Sequence, residues 1–166
     1  FTDRRQRQMC IRDRVSSGIA VADSLLSESP VVETKNRNGI KDAIISQKET
    51  SFDGPMVTLV NRGTASASEI LAGSLQDNGR SILMGEQTYG KGLIQSLKSL
   101  GENSGIAITV ASYLTPKGNN IQGQGMTPDK LLDLPDARDY GGSDDKWVKN
   151  AELFLESILE LSLIHI

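Results

Sequence analysis

Met56-Val57-Thr58-Leu59-Val60, followed by Asn61-Arg62-Gly63-Thr64 and then Ala65-Ser66-Ala67-Ser68-Glu69-Ile70-Leu71-Ala72-Gly73-Ser74-Leu75, is the stretch that decides how this chain folds. The first five residues form a short apolar run with β-branched members, the pattern of a buried strand. Asn-Arg-Gly-Thr supplies turn chemistry. The next segment is Ala-rich and places Ile70, Leu71 and Leu75 on one helical face, with Glu69 in the first turn, where a carboxylate suits the positive end of the helix dipole. Strand, tight turn and helix in that order are the building unit of an α/β protein.

The surrounding chain repeats the theme. Asp77-Asn78-Gly79 stops the helix, and Ser81–Met84 predicts a second short strand. After a Gly-bounded loop, Leu93–Leu100 and Ile106–Leu114 read as a strand pair joined through Gly101-Glu102-Asn103-Ser104-Gly105. Upstream, Ile19, Val21-Ala22 and Leu25-Leu26 recur at helical spacing and predict a helix over Ser16–Ser27. Pro30–Thr34 is a strand, Asn36-Arg37-Asn38-Gly39 a hairpin turn and Ile40–Gln47 the partner strand. Lys117–Gly125 is a Gly/Asn/Gln loop, Asp136–Asp145 a polar linker, and Trp147–Leu159 a closing helix that buries Val148, Ala151, Leu155 and Leu159 or close neighbours. The expected architecture is α/β, built largely from β-β-α units.

A length of 166 residues suits one domain, and a net charge of −3 argues against a nucleic-acid partner. The longest apolar runs are far too short to span a bilayer. One Cys and one His cannot make a disulfide framework or a Cys/His zinc site, and no metal site is expected.

The two ends read differently from the rest. Met9–Arg14 and Leu161–Ile166 back-translate into DNA strands that are reverse complements over nearly their full length, as a sequencing-library adapter read at both ends would be. Residues 1–14 and 161–166 are therefore expected to be adapter-derived scars and are set aside from fold reasoning. Cys10 and His165, the only Cys and His, go with them. Catalysis in the remainder must run on Ser, Thr, Lys, Asp, Glu, Tyr or backbone groups, and a Ser-His-Asp triad is impossible.

Two segments can carry chemistry. Gly85-Glu86-Gln87-Thr88-Tyr89-Gly90-Lys91-Gly92 nearly spells the phosphate-binding P-loop, but Gly92 stands where a Ser or Thr must ligate Mg²⁺, and strand rather than helix follows. The other segment is the turn at Ser66. A serine at a helix start is commonly only an N-cap, and Thr64, Ser66 and Ser68 are each able to cap. As a nucleophile at the end of a buried strand, Ser66 would have the next backbone amide available to an oxyanion. It needs a base, and without His the obvious one is a lysine stripped of its proton by burial. Lys91, set between Gly90 and Gly92, has that character.

The two segments Asn61–Gly73 and Gly85–Gln95, continued through Tyr113-Leu114-Thr115-Pro116-Lys117-Gly118 and Ile121–Asp129, closely resemble the carboxyl-terminal processing peptidases, or tail-specific proteases, in tone nearest the cyanobacterial and plastid branch. The resemblance covers roughly Ile19 to Asp129. It implies a crotonase-like spiral of β-β-α units, with residues 15–135 as a Ser-Lys peptidase core incomplete at its N-terminal side, and 136–160 as linker and helix. It makes Ser66 the nucleophile, Lys91 the general base, Gln95 the residue that orients the lysine amine, and the Ala67 amide half of the oxyanion hole. Four residues of ideal strand separate Lys91 and Gln95 by about 13 Å, so the chain must kink at or after Gly92 for them to meet.

The resemblance further implies cleavage near the C-termini of protein substrates with apolar ends, a photosystem II reaction-centre precursor among them. It implies no cofactor and a periplasmic or thylakoid-lumenal parent whose signal peptide lies outside this chain. The upstream PDZ domain and the Gly-Gly loop that supplies a second oxyanion amide have no counterpart in the sequence, so the chain alone is expected to be inactive. Two alternatives stand beside this reading: an inactive interaction domain of the same fold, and a nucleotide binder around Gly85–Gly92.

Overall fold

The protein is described by a computed structural model over residues 15–39, 41–47, 49–101, 104–133 and 144–163, with side chains as far as residue 160. Helix α1 (Val15–Leu25) turns Gly18 and Ala22, four residues apart, to the interior. At Gly18 a Cβ would stand 2.8 Å from the carbonyl oxygen of Ala67, so the missing side chain is what lets α1 lie directly on the turn that carries Ser66.

Strands β1 (Pro30–Asn36) and β2 (Lys41–Ile45) form the expected hairpin. Asn36 Oδ1 accepts the Asn38 N–H at 2.9 Å, and Gly39 takes a φ of 79°, which only glycine adopts without cost. Val31 and Val32 are both buried, which strict alternation forbids. A register shift between Pro30 and Val32 against β2 allows it, because a bulge re-aims one side chain.

Strands β3 (Val57–Val60) and β4 (Ile82–Gly85) pair in parallel across helix α2 (Ala67–Asp77). Strands β5 (Leu93–Gly101) and β6 (Ser104–Leu114) are the expected antiparallel pair. Two sheets result: an antiparallel one in the order β2-β1-β6-β5, and a parallel one in the order β3-β4-β7. Strand β7 is only Lys130–Leu131, too short to show a period in sequence. Helix α2 lies between the sheets. Its Ile70 and Leu75 join Ala22, Leu26, Val31 and Val32 in one apolar cluster, while its Ala72 joins Val60, Leu83, Ile121 and Met126 in the other.

The closing helix α3 (Lys146–Leu163) corrects the expected core list. Ala151 is buried and Val148 and Leu155 are half-buried, but Leu159 is exposed. The helix is anchored at its start instead. Trp147 is buried, its indole N–H reaches the Asp133 carbonyl at 2.6 Å, and Asp145 Oδ1 accepts the Trp147 amide at 2.9 Å. Most of the polar linker expected over 136–145 lies outside the described residues.

Arg80 ties the strand β4 entrance to the chain before β3. Its guanidinium donates to the carbonyls of Leu25 (3.2 Å), Gly54 (2.9 Å) and Phe52, and lies 5.4 Å from the Phe52 ring centroid. A lysine carries a point charge without the planar fork and cannot meet three carbonyls held at these positions. Arg80→Lys is expected to lower unfolding stability by about 1–3 kcal/mol, read as an earlier denaturant midpoint at unchanged slope. A midpoint like that of the parent would show that these bonds only replace bonds to water.

Candidate active site

In parallel sheets, ligands and reacting groups gather at the carboxyl ends of the strands. Here those ends are Val60 of β3 and Gly85 of β4, and from them leave the two loops singled out in the sequence. The first turns tightly: Thr64 N–H donates to the Asn61 carbonyl (2.9 Å), and Thr64 Oγ1 accepts the Asn61 N–H (3.1 Å). Thr64 thus closes the turn, and Ser66 takes the N-cap position of α2.

Ser66 does not behave as an ordinary cap. Its backbone sits at φ 56°, ψ −119°, while Ser66 and Glu69 form a capping box at the start of α2. An L-residue with a Cβ pays of order 1–3 kcal/mol for a sparsely populated conformation, and such strain concentrates where geometry serves a reaction. A serine held on a strained strand-to-helix turn is also how α/β hydrolases present a nucleophile. Beside Ser66, Ala67 opens α2, in the first turn where backbone N–H groups have no carbonyl four residues back within the helix.

The organising residue is Glu69, which is fully buried. Its Oε2 accepts the backbone N–H of Ser66 (2.9 Å) and of Lys91 (2.8 Å). Its Oε1 accepts the Gly90 N–H (2.6 Å) and the Thr88 hydroxyl (2.5 Å). One oxygen therefore joins the backbones of Ser66 and Lys91, and their two nitrogens can lie no farther apart than those two bonds laid end to end. The four donors and the first turn of α2 offset the burial of this carboxylate without a cation. The sequence reading assigned Glu69 only to the helix dipole; Ser66 lies at the local Ser-x-x-Glu capping-box spacing, whereas the other three partners lie 19 to 22 residues away along the chain and no local pattern announces them.

The expectation of a buried Lys91 is corrected. The residue is exposed, and its amine has no hydrogen-bond or ion-pair partner among the described residues. The reason lies in the backbone: the Gly90 and Lys91 amides point to Glu69 in the interior, and Gly92 is packed against Ile121 and Gln122, so the loop's inner side is already filled. The backbone at Gly90, held at φ 86°, could not take a side chain, since a Cβ would meet the Gly125 nitrogen at 2.6 Å.

Gln95 lies on β5, exposed, and its side chain bonds to no described residue. The irregularity expected near Gly92 falls two residues later: the register shifts between Ile94 and Gln95, leaving Val110 of β6 as the extra residue. The shift does not join the Gln95 amide to Lys91. The glutamine that touches the lysine loop is another one, Gln122, whose Oε1 accepts the Gly92 N–H at 2.9 Å.

The same geometry bears on the phosphate-loop alternative. A nucleotide site needs free amides, yet Gly90, Lys91 and Gly92 already give theirs to side-chain oxygens, and β5 rather than a helix follows. Beside the loop, Arg62, Glu86, Gln87, Tyr89, Gln124 and Leu131 line a groove of about 630 Å³, and the Tyr89 N–H donates to the Thr64 carbonyl (2.9 Å) next to the Ser66 turn. Among the described residues no group of His, Cys, Asp and Glu can hold a metal ion, and no helix is long and apolar enough to cross a membrane.

Residues 14–132 match the model of peptidase family S41. The carboxyl-terminal-processing protease of Synechocystis sp. is 50% identical over 121 residues, which cover 73% of this chain and 28% of that protein. The chloroplastic C-terminal processing peptidase of Tetradesmus obliquus is 48% identical over 119 residues, 70% of this chain and 25% of that one. A solved structure titled photosystem II D1 C-terminal processing protease superposes with a TM-score of 0.67 at 44% identity, covering 72% of this chain and 31% of the other. The chain spans less than a third of the length of these relatives.

Proposed function

This chain belongs to peptidase family S41, among relatives named carboxyl-terminal-processing proteases, and we propose that it is the core of a serine endopeptidase that cleaves proteins near their C-termini with Ser66 as nucleophile and Lys91 as general base. The observation that carries this reading is the Glu69 carboxylate, which fixes the strained Ser66 backbone and the Lys91 backbone on one oxygen. Neutral lysine is a base of the right strength for a hydroxyl; it accepts the Ser66 proton as Oγ attacks the peptide carbonyl and returns it to the departing amine. The Ala67 N–H faces the oxygen on which charge develops. No step requires a metal or an organic cofactor.

The rest of the reading concerns the longer protein of which we infer this chain to be a part. Its substrates are proteins with apolar C-termini, and the names of its relatives point to a photosystem II reaction-centre precursor as one of them. Its place is extracytoplasmic, in periplasm or thylakoid lumen, consistent with cyanobacterial and chloroplast relatives. The 166 residues alone are expected to turn over little, because one oxyanion donor typically contributes about a hundred- to a thousandfold and the resemblance places the second donor upstream.

The test is a fluorophosphonate probe on the complete enzyme, with the labelled peptide identified by mass spectrometry. Modification at Ser66, lost in Lys91→Ala, is the expected result. Labelling elsewhere, or none in an enzyme that still cleaves peptides, would remove Ser66 from the role of nucleophile and favour the inactive interaction domain for this segment.

Gln95→Ala is expected to cost less than loss of Ser66 or Lys91, about ten- to a thousandfold in kcat, if Gln95 orients the lysine amine once substrate is bound. Kinetics indistinguishable from the parent would make Gln95 a surface residue of β5 and nothing more.

A further inference from the structure

The three amides of Gly90, Lys91 and Gly92 and the carbonyls of both glycines are tied down, and from two sides. On the inner side, Glu69 accepts the Gly90 and Lys91 amides. On the outer side stands the turn Ile121–Met126. Gln122 Oε1 accepts the Gly92 N–H (2.9 Å), and the Gly123 N–H donates to the Gly90 carbonyl (2.9 Å). The Gly92 carbonyl in turn accepts the Tyr113 N–H from β6 (2.7 Å). Packing is as close as the bonding: a Cβ at Gly92 would meet the Gln122 nitrogen at 3.0 Å, and one at Gly125 would meet the Thr88 carbonyl oxygen at 2.2 Å. The Lys91 backbone is thus immobilised while its side chain is left free in solvent.

We propose that Gln122 is a positioning residue for the lysine base: by accepting the Gly92 amide it fixes the exit of the Gly90-Lys91-Gly92 loop and so the direction in which the Lys91 side chain leaves it. This rests on the reading of Lys91 as the base. The requirement is for an oxygen acceptor at the reach of a glutamine, since the alternative is an unpaired N–H on a buried glycine. Gln122 itself does not line the groove beside Tyr89, though Gly123 and Gln124 after it do. Its loss should fall chiefly on kcat and little on KM, since the bond it makes is to the Lys91 loop. The two Glu69 bonds remain in such a variant, so the loss is partial, where a free 1 Å displacement would cost about a hundredfold.

The experiment compares Gln122→Leu and Gln122→Glu in the complete enzyme, with kcat and KM on one unstructured peptide ending in apolar residues, melting temperature, and fluorophosphonate labelling of the parent at Ser66. Leucine keeps the bulk and removes the acceptor; glutamate keeps the acceptor at the same reach. Expected is a kcat lowered about tenfold in Gln122→Leu at little changed KM, with Gln122→Glu recovering most of it and both melting within a few degrees of the parent. Parent-like kcat in Gln122→Leu overturns the proposal, as does an equal loss in both variants, which would mark a demand for shape and not for an acceptor. A Gln122→Leu protein that melts far lower, with kcat per folded molecule unchanged, assigns Gln122 to stability and also overturns it. If the parent is not labelled at Ser66 and does not cleave the peptide, the peptidase reading itself falls, a result distinct from any of these.

Discussion

Lys91→Arg in the complete enzyme is expected to be as inactive as Ser66→Ala, with each lowering kcat by about four orders of magnitude or more. Arginine preserves charge, length and exposure at position 91, so any role for this residue as a surface cation would survive the exchange. The role of base would not, because a guanidinium does not give up its proton at working pH. In the proposed mechanism Ser66 and Lys91 act on one proton in one step. The double variant Ser66→Ala, Lys91→Ala should therefore be little worse than either single change, since nothing is left for the second to remove. Turnover by Lys91→Arg at even a few per cent of the parent rate would take the lysine out of the chemistry. Multiplying losses in the double variant would show two independent contributions. The backbone anchors make the comparison clean, because neither substitution alters the amides that Glu69 holds.

Glu69→Gln carries the second large effect, and it separates hydrogen-bond logic from similarity of shape. The parent carboxylate accepts four donors and offers none. A glutamine turns one of those oxygens into an NH₂ group, which then faces either the Ser66 and Lys91 amides or the Gly90 amide, the Thr88 hydroxyl alone being able to turn and accept. The isosteric change is thus expected to be nearly as harmful as Glu69→Ala. It should lower stability by about 3 kcal/mol, since donors are left unpaired around a fully buried side chain. Activity should fall with it by about a hundredfold or more even where the protein stays folded, as the Ser66 and Lys91 backbones lose the oxygen they share. Denaturant unfolding followed by Trp147 fluorescence gives the first quantity, and kcat on folded protein the second. Parent-like stability in Glu69→Gln would mean that the four bonds are worth no more than bonds to water.

The sequence made the β3-turn-α2 unit legible because each of its signals is local: a short apolar run, turn residues, then an Ala-rich helical face. Ser66 and Lys91 stood out for the same reason, one on the turn and one between glycines. What escaped was joined over distance. Glu69 looks like any first-turn carboxylate until Thr88, Gly90 and Lys91 fold back onto it. Gln122 was one polar residue in a Gly/Asn/Gln loop, and nothing within that loop says that its side chain reaches Gly92. Gln95 was assigned by resemblance, against the spacing of an ideal strand, and the bulge opposite it at Val110 is a property of pairing with β6 that a single strand cannot show. Lys91 was expected to be buried because chemistry demands a neutral amine; the fold meets only the placement of its backbone.

The strained backbone at Ser66 also sets the chain's evolutionary bookkeeping. At φ 56° a glycine would sit with little strain, and Ser66→Gly should leave a protein more stable by about 1 kcal/mol, before any loss of side-chain contacts. Stability and catalysis therefore pull this position in opposite directions. A lineage released from catalysis would find glycine there among its easiest stabilising replacements, one step of drift that strengthens the fold as it ends the chemistry. Serine at position 66 is what a lineage still selected for the reaction would keep.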